Sequence, residues 1–310
     1  MKRCYLEVLK FTSAEDILRH ASLTSRLWYQ VSNETELWHE LLDQQSLPDL
    51  GPKETYRQAR QLVLAKLDHG NLLLYRFTLG TQETVPLKGP HKFSWNSAHA
   101  FVDKFRVLTC GSQVGGFSAD SFLIDIRTGE CTQVESLTVP RVGHGLIVVK
   151  AAAYAFGGYS PLKSCETWRE GQSWKLFSQE MRSPRAWCTP CAEKDVIYLC
   201  GGGQGPCEQY DINRESFEDL SITLSSDYIS ACTVSYKHCL LILTNSNFTV
   251  YDLLSKQSYI TEYRVGKDMW SNSPAVLYKN TLILERDEEE NREVSLTPLL
   301  VGSAFAHLLS

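Results

Sequence analysis

A short apolar segment recurs along the chain, and most of the predicted elements can be placed relative to it. The sharpest copies read Val107-Leu-Thr-Cys-Gly-Ser, Ala153-Tyr-Ala-Phe-Gly-Gly and Ile197-Tyr-Leu-Cys-Gly-Gly, and weaker copies begin at Leu240 and Thr281. Aligned copies are 46, 44, 43 and 41 residues apart. A repeat of this length predicts an array of similar units, and strand-like units favour a β-propeller over a helical solenoid.

Each copy lies between other strand-like segments. A second mark follows it and occurs six times at spacings of 41 to 47 residues: Phe77-Thr78, Ile124-Asp125, Trp168-Arg169, Tyr210-Asp211, Tyr251-Asp252 and Val294-Ser295. A polar segment precedes it, beginning at Ser97, Pro140, Pro184, Ile229 and Ser271. An outer segment carries Cys131, Trp174, Phe217 or Tyr259. The pattern predicts four strands per unit: a polar first strand, the glycine-ended strand, the Tyr-Asp strand and an outer strand.

The count of these marks predicts the number of units. Six Tyr-Asp-type strands stand against five glycine-ended ones. We expect Asn71 to begin the first strand of the array and Thr81-Gln82 to form the turn after it. The segment Ser303-Ala-Phe-Ala-His307 echoes Ser97-Ala-His99, so a tail strand is expected to complete the sheet begun at Asn71, which closes the ring and removes its exposed edges. Six blades are therefore predicted, and five remain the alternative because degenerate end copies can merge.

Residues 1–48 follow a helical pattern. Ser13-Ala-Glu-Asp16 has the order of a capping-box helix start, and Ser32-Asn33 can cap a later helix. Residues 49–70 form a connector in which Pro52 suits the first turn of a helix and Gly70 its end. The sequence thus predicts a helical domain over 1–48, a linker helix within 49–70 and a β-array over 71–310.

Composition and charge narrow the classes of function. The chain has 310 residues and a net charge of -5, which argues against a nucleic acid or an anionic membrane as partner. The longest apolar stretch, residues 145–156, is too short to span a membrane, and Glu7 and Lys10 interrupt the region where a signal peptide is apolar. Ten cysteines in such a chain indicate reduced thiols, so the cytosol or the nucleus is expected.

Three motifs with possible chemistry have simpler structural interpretations. Cys188-Thr-Pro-Cys191 is a CxxC, but Cys200 and Cys207 have the wrong spacing to complete a zinc site, so buried strand thiols are expected. The segment 201–205 lacks the Lys-Ser/Thr pair and the helix of a phosphate-binding loop. The eight histidines show no pair at metal-ligand spacing. The sequence predicts no metal, no cofactor and no enzymatic activity.

The helical segment resembles an F-box. The resemblance lies in the order of Phe11, Asp16-Ile-Leu18, Ala21-Ser-Leu23, Arg26-Leu-Trp28 and Leu37-Trp38. In that family the box docks on the Skp-family adaptor of a cullin-RING ubiquitin ligase. The resemblance therefore implies an adaptor surface built from apolar residues: Leu9, Phe11, Ile17, Leu18, Leu23, Trp28, Leu37 and Trp38. Members usually carry a Leu-Pro pair ahead of the Phe11 position, and this sequence has none there.

The β-array resembles kelch repeats, most sharply over residues 140–211. This stretch contains Pro-Arg-x-x-His, Gly-Gly, Tyr-Asp and Trp at the offsets of that family. Together the two resemblances imply a non-catalytic substrate receptor of an SCF-type ubiquitin ligase, whose kelch propeller binds a protein substrate. The alternative is a kelch scaffold that binds protein without a link to the ligase, because the Leu-Pro pair is absent.

Substrate contacts are expected at the ends of the polar strands and in their loops, where Arg and Trp are the residue types that most often carry binding energy. The candidates are Asn96, Arg141, Arg185, Trp187, Tyr228 and Trp270. For the two arginines a structural role, in hydrogen bonds to carbonyls of the neighbouring blade, is equally open. Arg185 and Trp187 are two residues apart, so in an extended strand both point to the same side.

Overall fold

The structure, a computed structural model, describes part of the second of two units into which the chain divides, Met1–Gln61 and Leu62–Ser310. The described residues are 63–68, 71–76, 81–89, 97–103, 105–113, 116–159, 163–203, 205–222, 224, 231–244, 247–262, 275–278, 281–284 and 292–295. Several predictions lie outside them: the F-box-like domain 1–48, residues 49–62 of the linker, the tail 301–310, and the substrate candidates Asn96, Tyr228 and Trp270.

Every regular element among the described residues is a β-strand, and the strands form six antiparallel sheets. Sheet 1 contains β1 (Val63–Asp68), β2 (Asn71–Arg76) and β3 (Thr81–Pro86). Sheet 2 contains β4 (Ala98–Phe101), β5 (Arg106–Gln113), β6 (Phe117–Asp125) and β7 (Cys131–Val134). Sheet 3 contains β8 (Gly145–Val149), β9 (Ala152–Phe156), β10 (Cys165–Trp168) and β11 (Lys175–Leu176).

The remaining three sheets continue the series. Sheet 4 contains β12 (Cys191–Glu193), β13 (Val196–Leu199), β14 (Glu208–Asp211) and β15 (Ser216–Asp219). Sheet 5 contains β16 (Cys232–Tyr236), β17 (Cys239–Leu243), β18 (Asn247–Asp252) and β19 (Ser258–Glu262). Sheet 6 contains β20 (Ala275–Tyr278), β21 (Thr281–Leu284) and β22 (Arg292–Ser295). In each sheet the strands are hydrogen-bonded in sequence order, which confirms the predicted order of strands within a unit.

The hydrophobic core lies between successive sheets. One cluster joins sheets 1 and 2 through Leu74 and Ile124, and another joins sheets 3 and 4 through Phe156 and Tyr210. The glycine-ended strands supply much of this core, and β9 and β17 are buried at every position. A strand covered on both faces reads as a continuous apolar run, which is why these segments stand out in the sequence. Sheets that pack face to face in sequence order give a mostly β, propeller-like fold.

Neighbouring sheets also meet along their first strands. β4 contacts β8, β12 contacts β16, and β16 contacts β20. At the ends of the sheets where first and second strands are joined, ion pairs connect sheets 2 to 3, 3 to 4 and 4 to 5: Arg106–Glu170, Lys150–Asp195 and His238–Glu193. Exposed pairs of this kind contribute little to stability, so they show which sheets are adjacent more than they stabilise the fold.

Three predictions near the start of the array are wrong. Asn71, expected to begin the first strand, begins β2. Val63–Asp68, assigned to the linker helix, is strand β1 and pairs with β2 from Val63↔Arg76 to Asp68↔Asn71. A short apolar segment fits helix and strand periods alike, and a two-residue connection containing Gly70 suits a hairpin as well as a helix end. Thr81-Gln82, predicted as a turn, begins β3.

The polar first strands are only partly as predicted. The segment beginning at Ser97 forms β4, but 140–144 and 184–188 lie in loops ahead of β8 and β12. Gly143 and Trp187, at equivalent positions of these loops, have φ of 63° and 65°. A left-handed φ is incompatible with a regular strand, so the strand begins later in both repeats.

Candidate functional site

One end of the array carries most of the candidate residues. In antiparallel sheets with strands in sequence order, the loops from second to third strand and the connections to the next sheet emerge at the same end. We call this end the loop face. It includes the loops that carry Arg141, Tyr159, Trp187 and Gly201.

Arg141 forms a buried ion pair beneath the loop face. Its Nε and Nη2 donate to Oε1 of Glu166 at 3.0 and 2.9 Å, and its Nη1 donates to the carbonyl oxygen of Gly157 at 2.6 Å. The Glu166 carboxylate also accepts the backbone N–H groups of Thr138 and Val139 at 2.6 and 3.1 Å. Both charged side chains are 0% exposed, so the pair holds the loop before β8 against β10.

Arg185 repeats this arrangement in sheet 4. Its Nη2 donates to Oε1 of Glu208 at 2.9 Å, and its Nη1 donates to the carbonyl oxygen of Gly201 at 2.7 Å. Glu208 accepts the backbone N–H groups of Arg182 and Ser183 at 2.8 and 3.0 Å. This pair is also 0% exposed. We call the two Arg–Glu pairs the loop brackets.

The loop brackets also connect adjacent sheets. The backbone N–H of Arg141 donates to the carbonyl of Ser118 in sheet 2 at 3.0 Å, and the carbonyl of Arg185 accepts from Gly158, which follows sheet 3 strand β9, at 2.8 Å. The guanidinium groups themselves bond within their own repeat, so the prediction that they bond carbonyls of the neighbouring blade is wrong. Because both side chains are fully buried, the structure favours the structural role over substrate contact for Arg141 and Arg185.

Sequence reasoning noticed the arginines and missed their partners. Glu166 and Glu208 follow them by 25 and 23 residues, at register positions opposite Ala155 and Leu199. Sheets 2 and 5 lack both members of the pair. Asn96 and Ile229 occupy the position of the arginine, and Phe122 and Thr249 occupy that of the glutamate. Arginine and glutamate thus occur together or are absent together in these four repeats, and the sequence alone contains this signal.

Of the three substrate candidates that the structure describes, Trp187 is the accessible one, and its backbone is strained. Its ring lies directly on Gly143, where an added Cβ would be 2.8 Å from the ring carbons, and the backbone N–H of Trp187 donates to the Gly143 carbonyl at 2.7 Å. The side chain is half-buried. A left-handed φ costs a non-glycine residue about 1 kcal/mol or more. The neighbouring repeat has glycine at this position, so a tryptophan here is a local addition to the repeat.

The prediction that Arg185 and Trp187 point to one side of an extended strand is wrong. They lie in an irregular loop, where Arg185 is 0% exposed and Trp187 is partly exposed. The prediction depended on the strict alternation of side chains in an extended strand. The left-handed φ of Trp187 interrupts that alternation.

Two exposed aromatic residues were missed near the segment Val142–Gly143, on which Trp187 packs. Phe117, at the start of β6, and Tyr159, after β9, are 41% and 57% exposed and meet edge to face with ring centroids 6.3 Å apart. The N–H of Tyr159 donates to the Val142 carbonyl at 2.7 Å, and Val142 is the residue before Gly143. We call Phe117, Tyr159 and Trp187 the aromatic patch. Half-exposed aromatic side chains in neighbouring loops are typical of surfaces that bind proteins.

A buried Cys–His contact lies behind the patch. The Sγ of Cys110 is 3.2 Å from Nε2 of His144, and both residues are buried. Burial raises the pKa of the Cys110 thiol far above its usual range and lowers the pKa of His144 to about 3, with the Arg141 charge adding to the second effect. Both groups are therefore neutral, unlike the activated pair of a cysteine nucleophile.

The CxxC cysteines were predicted to be buried strand thiols, which is confirmed for Cys191 in β12, whereas Cys188 is buried in the loop before that strand. Cys188 and Cys191 are both buried and reduced. Burial raises the pKa of Cys188 to about 11. Within the part of the chain that the structure describes, no group of three or more His, Cys, Asp or Glu side chains is placed to hold a metal ion.

His144 makes the stability of the fold pH-dependent. Between pH 6.5 and about 3 the unfolded chain binds a proton at this residue and the folded chain does not, so the free energy of unfolding falls as the pH falls. Above pH 6.5 the contribution is constant. We expect the wild-type chain to lose about 2 kcal/mol more than His144→Gln between about pH 7 and pH 5, measured by urea unfolding. Parallel curves for the two proteins would contradict the assignment.

Comparison of the sequence with models of protein families and with curated proteins gives no match. Among the described residues, no helix has the length and apolar character needed to cross a membrane. The functional proposal therefore depends on the residues of the chain: the F-box-like order over 4–43, the kelch-like repeats and the aromatic patch.

Proposed function

We propose that this chain is a non-catalytic substrate receptor of an SCF-type ubiquitin ligase. The F-box-like domain 1–48 binds the Skp-family adaptor, and a kelch-type propeller binds a protein substrate at its loop face. The observation that carries the proposal is the combination, in one chain, of an F-box-like residue order with repeated sheets that expose an aromatic patch. The chain then contributes proximity between substrate and ligase and takes no part in bond chemistry.

Six blades are the arrangement that the sheets support best. Sheet 1 contains the equivalents of the second, third and fourth strands of a unit, and β1 takes the position of the sixth glycine-ended strand that the sequence count lacked. A tail strand from 301–310 beside β1 then supplies the first strand of that unit. Ring closure of this kind pairs the free edge of β1, whereas five blades require two of the six separate sheets to merge.

The loop brackets hold the loops that carry the aromatic patch in place, which favours binding. Each buried guanidinium fixes one loop of the face through several hydrogen bonds, so the side chains that those loops present are held in place before a partner arrives. A preorganised surface loses less conformational entropy on binding, which leaves more of the contact energy as affinity. Trp187 lies in the loop held by Arg185, and Tyr159 packs on the loop held by Arg141.

A scaffold that binds protein at the same face without a ligase link is the second candidate. It makes the same use of the aromatic patch and differs only at the F-box-like domain. Binding of a purified Skp-family adaptor to the full chain separates the two functions: the receptor forms a complex with the adaptor, and the scaffold does not.

Trp28→Ala should weaken adaptor binding by about 100-fold. A large apolar side chain at an F-box position contributes about 3 kcal/mol when buried, and each 1.4 kcal/mol is about a factor of ten in affinity. The Kd between full chain and adaptor, measured by calorimetry, tests this. Trp187→Ala is the matched control, because it removes the same ring from the loop face and should leave the adaptor Kd unchanged. Equal adaptor affinity in Trp28→Ala and wild type would contradict the adaptor-binding role of Trp28.

A further inference from the structure

Cys200 and Cys207 flank the glycine-rich loop on the loop face. Cys200 follows β13 and Cys207 precedes β14, and the register Leu199↔Glu208 places the two cysteines directly opposite each other. Both residues are 0% exposed and reduced. Both side chains belong to the same buried cluster of the core.

The backbone of Cys207 determines the geometry of this pair. Its N–H donates to the carbonyl of Ile222 at 3.0 Å, and its own carbonyl accepts from the N–H of Leu220 at 2.7 Å. The backbone N–H and carbonyl of Cys207 therefore point towards the segment that follows β15 and away from Cys200. Opposed residues of this kind form a non-hydrogen-bonded pair with Cα atoms about 4.5 Å apart. A disulfide needs a Cα separation of about 4.4–6.8 Å, so the bond fits the existing backbone.

The two thiols differ in acidity. The hydrogen bond from Cys200 lowers the pKa of Cys207 against the opposing effect of burial, and the Arg185 charge and the backbone N–H of Gly201 add to the lowering. The same hydrogen bond raises the pKa of Cys200 well above its ordinary value. Because the thiolate is the nucleophile in thiol oxidation, Cys207 is the sulfur that reacts first and Cys200 the one that resolves.

We propose that Cys200 and Cys207 form a peroxide-sensitive thiol pair that closes to a reversible disulfide. The Cys207 thiolate attacks hydrogen peroxide, an S–O bond forms as the O–O bond breaks, and the hydroxide that leaves takes up a proton as water. The Cys200 thiol then attacks the sulfenic sulfur, the S–S bond forms, and the S–O bond breaks with loss of a second water. Two electrons pass from the thiols to the peroxide, and a dithiol reductant reverses the change.

The loop between the cysteines is partly exposed, and it carries the structural consequence of the bond. Gly203, Gly205 and Pro206 are half-buried, so solvent reaches the outside of this loop, while its glycines pack closely on the backbone of Pro184 and the side chain of Ser183. The Gly202 carbonyl accepts the N–H of Ala186, next to Trp187, at 2.6 Å. A disulfide at the base of this loop therefore fixes the backbone beside the aromatic patch.

Peptide mapping tests the pair with a control inside the same chain. Trypsin cleavage after Lys194 and Arg214 releases residues 195–214, whose cysteines are Cys200 and Cys207. The neighbouring peptide, residues 186–194, contains the CxxC cysteines and serves as control. The folded full chain is treated with hydrogen peroxide, and catalase then removes the excess peroxide. Free thiols are alkylated, the chain is digested, and the peptide masses are measured by mass spectrometry.

We expect peptide 195–214 to lose two hydrogen atoms, to resist alkylation and to recover both thiols after dithiothreitol. This should occur several-fold faster than any change in peptide 186–194, because the pKa of Cys207 is lowered whereas burial raises that of Cys188. Full alkylation of peptide 195–214 after peroxide treatment would overturn the proposal, and so would disulfide formation at the same rate in the control peptide.

Single serine variants test the order of attack. In Cys200→Ser the sulfenic acid at Cys207 has no resolving thiol, so dimedone should label Cys207 after peroxide treatment. In Cys207→Ser, dimedone should leave Cys200 unlabelled. Labelling of Cys200 without labelling of Cys207, in chains with wild-type circular dichroism, would contradict the assigned roles.

Discussion

Replacing Arg185 with methionine should lower the free energy of unfolding by about 3–5 kcal/mol, because it leaves a buried charge without its partner. The Glu208 carboxylate is 0% exposed and would retain only the backbone N–H groups of Arg182 and Ser183. Chemical denaturation monitored by tryptophan fluorescence measures the loss. Arg141→Met should give a loss of similar size, since it leaves the equally buried Glu166 carboxylate without its charged partner.

Two further variants show whether the buried charge is the cause. Arg182→Met removes an arginine of the same loop that is 57% exposed and pairs with Asp219 at 3.3 Å, so it should cost at most about 1 kcal/mol. The double variant Arg185→Met with Glu208→Leu should recover most of the stability that the single change loses, because no uncompensated charge remains. If Arg185→Met is no more harmful than Arg182→Met, the loop bracket has no structural role.

Replacing Trp187 with glycine should abolish partner capture while the fold keeps nearly all of its stability. The neighbouring repeat already has Gly143 at this position with φ 63°, and glycine adopts such a conformation without the cost of about 1 kcal/mol that tryptophan bears. This relief offsets part of the packing lost against Gly143. An aromatic residue at the centre of an interface contributes about 2 kcal/mol or more, so affinity should fall at least about 30-fold.

Leu254→Ala is the control for this variant. Leu254 is 76% exposed and lies in the turn between β18 and β19, at the end of the sheets opposite the loop face, so its loss should leave capture unchanged. Thermal melting and affinity purification of each variant are the two readouts. If Trp187→Gly melts early and loses adaptor and partner together, Trp187 belongs to the core and the aromatic patch is not the binding site.

The repeat could be predicted because buried second strands have an unmistakable composition. Continuous apolar runs placed β5, β9, β13 and β17 without reference to any contact, and the first three of them end in glycine. Strand β1 was missed because Val63–Asp68 has neither the terminal glycine pair nor a β-specific period, and only its pairing with β2 decides its conformation. Local pattern is a weak guide where tertiary pairing determines the structure.

The candidate site was harder to predict than the fold. Arg141 and Arg185 were noticed as interface residue types, but burial of a charge depends on a partner that lies more than 20 residues away in the sequence. Phe117 and Tyr159 carry no motif, because their exposure and mutual contact follow from how loops of adjacent sheets meet. Trp187 was singled out correctly as a departure from its own repeat, although the strand geometry used to orient it was wrong.

The central claim is that one chain joins an adaptor at its F-box-like domain to a protein partner at its loop face. Quantitative affinity purification from cells with the proteasome blocked, on wild type, Trp28→Ala and Trp187→Gly in parallel, tests it most directly. We predict that wild type retains both adaptor and ubiquitin-conjugated partner, that Trp28→Ala retains only the partner, and that Trp187→Gly retains only the adaptor. Absence of the adaptor from the wild-type sample, or loss of both proteins in either variant, would contradict the claim.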